Sequence, residues 1–578
     1  MSRCSSRWHW RFIGTLLFLA CVAFRLNAAN SAAVTVDSLS VNLDPLIDSA
    51  AHDRNRFAVN IPHPFSTSTQ GRWIRTGSTS TWTYNVQVPT AISMSFHASH
   101  LALPPSAVLT VTAGSTHATY HAQDVSRGGL WTRPLIGDTL EISVSANTSE
   151  SSRAELQIDS LQVGYRGLGG GVADHPHYRR IMTSQAGTGT NCTQNYSCSA
   201  TAANQGPAQA TVAMLVGDQY QCTGTLLNNT RGDGTPYVLT ARHCQTGKMG
   251  GGAPNAAESV IIYWDAVSAC GQTLQSIYYG PTTQHGAVTV VEQQDAWLIK
   301  LDTPPIANDA FYAGWDARGN QFTGGYSIHH ALGNDKQYVS WYGRALLQHF
   351  SAASVQVGYN STFWGVVNEL GEVGAGSSGG ALFDPNNNVV GSGSLANLVN
   401  GDGSAGYCPT TPLATATGSN VAAQYTALSS VWTSTADMTS TTGDVTLQSV
   451  LDPDNTGRMS VTGFGLGAVT HSAPVATATP DPGSTATTPN SSSTNSTDST
   501  ADPSSGGKGG GGALDPFWLV LLSIPLALRV TYSSRNPTVT GIRAARTAGN
   551  KPPTNPMASA HLSPPHSNTG ETLKANTT

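Results

Sequence analysis

The sequence predicts an all-β protein with more than one folded unit, and three observations carry that prediction. Between residues 31 and 168, large apolar side chains recur at every second position, as in Trp82, Tyr84, Val86 and Val88, or Ile142 and Val144. That is the period of a half-buried strand. Farther along, Tyr237-Val238-Leu239-Thr240-Ala241 and Ala381-Leu382-Phe383 are short β-rich runs bounded by turns of small residues. The composition agrees: 60 glycines and only 11% charged residues suit an exported β protein with Ser/Thr-rich spacers, and no heptad or tandem repeat interrupts it. At 578 residues the chain is too long for one domain.

Residues 1–30 carry Arg3, Arg7 and Arg11 ahead of an apolar run from Phe12 to Phe24, then small residues from Ala28 to Ala33. This is the build of a secretory signal peptide, too short in its apolar part for a membrane anchor. Residues 31–168 read as an antiparallel β-sandwich; Leu156 and Ile158 are followed, after a change of phase, by Leu161, Val163 and Tyr165. Residues 169–190 are Gly-rich and include Arg179-Arg180, an exposed and cleavable connector.

A net charge of -5 excludes a nucleic-acid binder, which needs a basic footprint. No phosphate-cradling Gly-Lys loop is present, and the cysteines lack the paired spacing of a zinc site. No cofactor or metal is expected.

Chemistry concentrates in residues 191–465. Gly376-Ser377-Ser378-Gly379-Gly380 is a serine between glycines on a tight turn, which presents its hydroxyl to a bound carbonyl while neighbouring N–H groups face the oxygen that becomes negative. Upstream, His243 follows a β-run at a small-residue turn, and Asp295 opens the alternating strand that continues to Leu301. The order His, Asp, Ser is one of the arrangements of a base, its orienting carboxylate and a nucleophile. It is the reverse of the order in α/β-hydrolase esterases.

From about residue 190 to 465 the chain resembles the trypsin-fold serine peptidases, and among them the bacterial lysyl endopeptidases. The resemblance is carried by Cys222-Thr223-Gly224-Thr225-Leu226-Leu227-Asn228-Asn229, Ala313-Gly314-Trp315-Asp316, Ile328-His329-His330 and Gly376-Ser377-Ser378-Gly379. It implies a two-barrel, trypsin-like fold and a triad in which His243 is the base, Asp295 its orienter and Ser378 the nucleophile. Gly376 and Ser378 would supply the oxyanion-hole N–H groups. It also implies that the N-terminal sandwich is a pro-domain, a folding helper or inhibitor removed on maturation; a permanent accessory domain is the other reading. Ser377 stands where most trypsin-fold enzymes have Asp, so activation through a salt bridge from a new N-terminus is not expected.

Six of the eight cysteines lie beyond the signal segment, and an even number in an exported chain implies disulfides, with fifteen pairings open. The resemblance implies Cys222 with Cys244, Cys192 with Cys408, and Cys198 with Cys270. Specificity departs from the lysyl endopeptidases: Ala423 takes the place of their lysine-reading aspartate, and Ser394 that of a pocket histidine, while Trp341 retains a pocket aromatic. A lysine ammonium buried against alanine would lack a partner. Glu372, six residues before Ser378, stands at the offset where trypsin keeps its own pocket acid; a solvated loop carboxylate is the other reading.

Residues 466–512 are a Ser/Thr/Pro/Gly-rich stalk that lacks the apolar side chains to fold. Residues 513–530 form a short apolar segment ending in basic Arg529, and 531–578 a disordered basic tail. Stalk, glycine cluster and apolar segment resemble the GlyGly-CTERM sorting tails that a rhomboid-type peptidase cuts. A permanent membrane anchor is the alternative. The expected protein is an exported serine endopeptidase, in the cell envelope or released, acting on protein or peptide substrates. It would meet the export machinery, and it would touch a membrane through the C-terminal segment. A catalytically silent homologue that binds peptides or surfaces is the reading from another class.

Overall fold

The computed structural model describes residues 35–183, 194–249, 251–272, 275–280, 282–350, 361–396, 421–434 and 442–466. The expected signal segment, the stalk, the apolar C-terminal segment and the basic tail lie outside them. Among the described residues no helix is long and apolar enough to cross a membrane.

The alternating segments near the N-terminus form two facing sheets. One runs in the order Val36–Ser38, Thr79–Gln87, Thr139–Asn147, Val108–Ala113, Thr116–Tyr120, with Arg72–Thr76 also on Thr79–Gln87. The other runs Ala58–Ser66, Glu155–Gly164, Ser93–Ala102, Leu130–Trp131, with Leu135–Ile136 also on Ser93–Ala102. Pairing is antiparallel except at Val36–Ser38, which runs parallel to its neighbour. Trp82, Val86, Phe96, Ile142, Val144 and Ile158 meet in one buried core, as the period of two requires. The change of phase after Ile158 is a bulge: the register slips on both sides of Glu155–Gly164 between Ile158 and Ser160, turning Leu161 and Val163 back into the core.

The expected connector is more ordered than its composition suggests. Pro176–Thr183 is a helix whose Tyr178 and Met182 pack into the sandwich core, leaving Arg179 and Arg180 exposed. Residues 184–193 lie outside the described residues.

Two further sheets follow. The first is ordered Thr283–His285, Val260–Tyr263, Thr211–Val216, Tyr220–Leu227, Tyr237–Ala241, Ala296–Leu301, Ala287–Gln293. Its two edge strands are consecutive in the chain and joined at Gly286, whose φ of 79° suits only glycine, so the sheet curls round on itself. The second runs Ala381–Phe383, Tyr326–His329, Gln337–Phe350, Ser361–Leu370, Ala423–Ala427, Val389–Ala396, and Val389–Ala396 pairs back with Ala381–Phe383, which closes a barrel. This is the all-β, two-barrel architecture expected of a trypsin-like peptidase domain.

The sandwich packs on the first barrel. Phe57, Ala58 and Leu168 share an apolar cluster with Ala213, Leu215, Ile261 and Tyr263. At the edge of this contact the turn after Thr211–Val216 buries Asp218, fully inaccessible, with no hydrogen bond to either carboxylate oxygen. Ser95 of the sandwich faces it, and the buried Tyr120, Tyr263 and Tyr278 hydroxyls are its neighbours. Arg133 lies over the Tyr263 ring at 5.4 Å, and His285, beside Tyr120, is pushed by burial down to about 4 and is neutral above that pH.

Burial raises the Asp218 carboxyl well above its ordinary value, so the folded state holds a proton that the unfolded state releases. Stability is then fully kept below the usual carboxylate pKa of about 4 and falls as pH rises toward the raised value. Asp218→Asn is predicted to stabilise the protein by about 1–3 kcal/mol at pH 8 and to change little at pH 4. Thermal unfolding by calorimetry at both pH values checks this, and equal midpoints for the two proteins at pH 8 would refute it.

Candidate active site

The three residues expected to form a triad sit on three separate turns. Strand Tyr237–Ala241 ends in the short 3-10 turn Arg242–Gln245, which carries His243. Asp295 sits in the turn between Ala287–Gln293 and Ala296–Leu301, beside Gln294 at φ 52°. Asp295 is wholly buried and holds the histidine twice: its Oδ2 lies 2.8 Å from His243 Nδ1, and its Oδ1 accepts the His243 main-chain N–H at 3.0 Å. The Arg242 N–H donates to the Asp295 carbonyl at 2.7 Å.

Beneath the turn is a buried polar support: Gln245 Nε2 donates to Glu292 Oε1 at 2.6 Å, and the Arg242 guanidinium is 3.7 Å from Glu292. Burial opposes a charge on His243. The Asp295 carboxylate, by attraction and hydrogen bond, and then the Asp53 carboxylate outweigh it and hold the imidazole pKa above its ordinary value.

The Ser378 loop needs its glycines. Gly376 has φ 93°, and a Cβ there would come within 2.8 Å of the His330 carbonyl; Gly379 has φ 83°, and a Cβ would meet Thr240 Oγ1 at 2.1 Å. The loop is fastened to the first barrel by Thr223, whose N–H donates to the Ser378 carbonyl and whose hydroxyl donates to the Gly376 carbonyl, both at 2.8 Å. Ser377 bonds through its hydroxyl to the main chain of Gly374 within the same loop. Cys222–Cys244 ties the strand before Thr223 to the histidine turn, and Cys198–Cys270 lies elsewhere in the domain. Cys192 and Cys408 lie outside the described residues.

Behind Ser378 the cleft is lined by Val373, Ala375, Ser394, Leu395, Ala423 and Tyr425, among others. Ser394 and Ala423 thus lie where specificity residues were expected. Trp341 is buried one layer back, edge-on to Tyr425 with ring centroids 5.8 Å apart. Glu372 is buried, its carbonyl accepting from His329 Nε2 at 3.1 Å, and it is not among the described residues that face the cleft. Among the described residues the one acid that does is Asp53.

Asp53 belongs to the sandwich, and the segment around it was not read as functional from the sequence. His52, Asp53, Arg54 and Asn55 enter the cleft. Asn55 Nδ2 donates to Ser378 Oγ at 2.9 Å, and Asn55 Oδ1 accepts the Gly376 N–H at 3.1 Å. The partner of the Ser378 hydroxyl is therefore Asn55 rather than His243. A charged and polar run between a short helix and a strand looks like any surface loop, and only its docking reveals its target.

Residues 186–411 match the family described as lysyl endopeptidase, C-terminal domain. A lysyl endopeptidase of Pseudomonas aeruginosa is 28% identical over 268 residues, covering 43% of this chain and 53% of that protein; the chain thus matches about half the length of this relative. Among solved structures, the inactive form of Rv3671c from Mycobacterium tuberculosis H37Rv is 12% identical, with a TM-score of 0.26 over 42% of this chain and 91% of that one. Kallikrein-related peptidase 10 is 16% identical, with a TM-score of 0.24 over 39% and 92%. Likenesses this weak decide nothing about chemistry. The sequence matches stand on their own: residues 186–411 are similar to the C-terminal domain of the lysyl endopeptidases.

Proposed function

We propose that residues 191–465 are a serine endopeptidase domain, made as a zymogen with the N-terminal sandwich of residues 31–168 as its pro-domain. The observation that carries this reading is the buried Asp295 held 2.8 Å from His243 Nδ1, on a turn tied by Cys222–Cys244 to the strand that grips the Ser378 loop. His243 takes the proton of the Ser378 hydroxyl as its oxygen attacks the peptide carbonyl, and Asp295 fixes the tautomer that leaves Nε2 free to do so. The N–H groups of Gly376 and Ser378 receive the carbonyl oxygen as it becomes negative. His243 then protonates the leaving amine, and water repeats the sequence in reverse on the acyl-enzyme. The disulfides fit an oxidising compartment, so the enzyme acts after export, in the envelope or released; membrane contact and rhomboid-type sorting would fall to the C-terminal tail.

The residue before the scissile bond is small or apolar in this proposal. The described wall of the cleft offers Val373, Ala375, Ser394 and Ala423, and no acid other than Asp53, which leaves with the sandwich. A lysine or arginine there would be desolvated without a counter-charge.

Incubating the processed enzyme with a diverse peptide mixture, and mapping the cuts by mass spectrometry, is expected to show cleavage after small and apolar residues. Ser378→Ala should be slower by at least about 10⁴-fold. Cleavage unchanged in Ser378→Ala would refute the peptidase assignment, and cuts confined to lysine or arginine would pass the specificity role to Glu372. Asp295→Asn should lower kcat about 10⁴-fold with little change in KM, because the amide stabilises the wrong imidazole tautomer. A loss of less than tenfold in steady-state kinetics would remove Asp295 from the triad.

A further inference from the structure

Three buried polar side chains in a row lead up to Asp295: Glu292, Gln293 and Gln294. They close the hairpin between Ala287–Gln293 and Ala296–Leu301. Gln294 holds φ 52°, a strained value for a residue other than glycine, so this turn keeps its shape only where its surroundings fix it. The three side chains reach in different directions. Gln293 Nε2 donates to the Gly443 and Val445 carbonyls at 3.4 and 3.3 Å, and Gln294 Nε2 to the Ser430 carbonyl at 3.2 Å. Glu292 turns instead to the histidine side, where it meets Gln245 and Arg242.

On that side the two turns are adjacent strand ends. Tyr237–Ala241 pairs with Ala296–Leu301, which pairs in turn with Ala287–Gln293, and Ala241, Ala296 and Gln293 stand opposite one another in a single row. The Arg242 N–H bond to the Asp295 carbonyl extends this ladder by one step. Arg242 thus follows the first of the three strands and Glu292 lies on the third. Their ion pair spans the middle strand, the one that Asp295 opens.

The pair is enclosed. Arg242 and Glu292 are both buried, and neither is among the described residues that line the cleft. Gly252 lies against the guanidinium, where a Cβ would stand 3.2 Å from Nη2. Gln245 Oε1 accepts the Ala253 N–H at 2.7 Å, and Thr442 Oγ1 accepts the Glu292 N–H at 3.2 Å. An ion pair in so dry a place is a poor source of stability, because the cost of taking two charges out of water offsets their attraction. What it supplies is registry between the segments that carry it.

We propose that the Arg242–Glu292 ion pair is a positioning device for the proposed base and its carboxylate, holding the His243 turn and the Asp295 turn at the separation that keeps Nδ1 on Oδ2. It rests on the peptidase assignment above, to which it adds two residues that touch no substrate.

Arg242→Met/Glu292→Gln removes both charges at once and leaves Gln245 Nε2 an acceptor. Opposite charges lost together change the field at His243 little, so a change in the imidazole reports geometry. The double variant is made in the full chain and assayed after the sandwich has been removed by limited proteolysis. It is expected to keep KM within about twofold and to lose about 10- to 100-fold in kcat, the scale of a displacement of about 1 Å. The acid limb of kcat/KM, which reports the base of the free enzyme, should move to lower pH. Burial depresses the His243 pKa and Asp295 is the chief group that raises it, with Asp53 gone along with the sandwich, and a displaced Asp295 raises it less.

Wild-type kcat and an unmoved limb in the double variant would overturn the proposal. So would a loss of rate matched by the loss of folded protein, with the limb unmoved. If the double variant does not fold, Glu292→Asp, which keeps the charge and shortens its reach, is expected to show the same lowered kcat and displaced limb, and wild-type values there would overturn the proposal equally. All of these results leave the peptidase reading intact. Hydrolysis absent in wild type, or undiminished in Ser378→Ala, would overturn that reading and the positioning role with it.

Discussion

The site depends on how Thr223 joins the two barrels. Its N–H and hydroxyl hold the carbonyls of Ser378 and Gly376, its hydroxyl accepts the His330 N–H at 3.0 Å, and its own carbonyl accepts the Thr240 hydroxyl at 2.8 Å. Thr223 is wholly buried, where an unmade hydrogen bond costs about 1–3 kcal/mol. The nucleophile loop of the second barrel is thereby registered against the first, one residue from the disulfide that anchors the histidine turn. Glycines are forced at 376 and 379 because any side chain would strike the surfaces that the loop must touch.

The proposed latency follows from the same construction. An oxyanion hole made of fixed N–H groups is ready to bind a carbonyl oxygen before any substrate arrives, and a buried N–H left empty is costly. The Asn55 carboxamide satisfies the Gly376 N–H and engages the serine hydroxyl in one contact. In the proposed enzyme the sandwich thus engages the feature that would serve catalysis. Its hold also lifts the charge state of the machinery, since Asp53 adds to Asp295 in favouring a protonated His243, the form that cannot act as a base.

Much of this was legible in the sequence because it depends on local pattern. Period-two segments such as Trp82 to Val88 became strands with the expected face inward, and the phase change after Ile158 marked a real bulge. His243 and Ser378 stood out at turns of small residues, and Asp295 at the mouth of an alternating strand. What pattern could not supply was contact between distant segments. Asn55 lies 323 positions from Ser378 in a polar loop with no distinguishing composition. The helix Pro176–Thr183 was set by packing on the sandwich core, which overrode the local Gly and Arg content, and the parallel pairing of the exposed Val36–Ser38 with Thr79–Gln87 lies at a sheet edge. Glu372 was singled out by its offset from Ser378 alone, and offset along a chain does not fix which side of a cleft wall a side chain takes.

The most direct measurement is mass-spectrometric mapping of fluorophosphonate attachment to the protein, before and after the sandwich is removed by limited proteolysis. The account predicts rapid modification of Ser378 once the sandwich is gone, abolished in His243→Ala, and protection of Ser378 in the intact chain. Modification of Ser378 at the same rate in both forms, or no modification of Ser378 after removal, would contradict it.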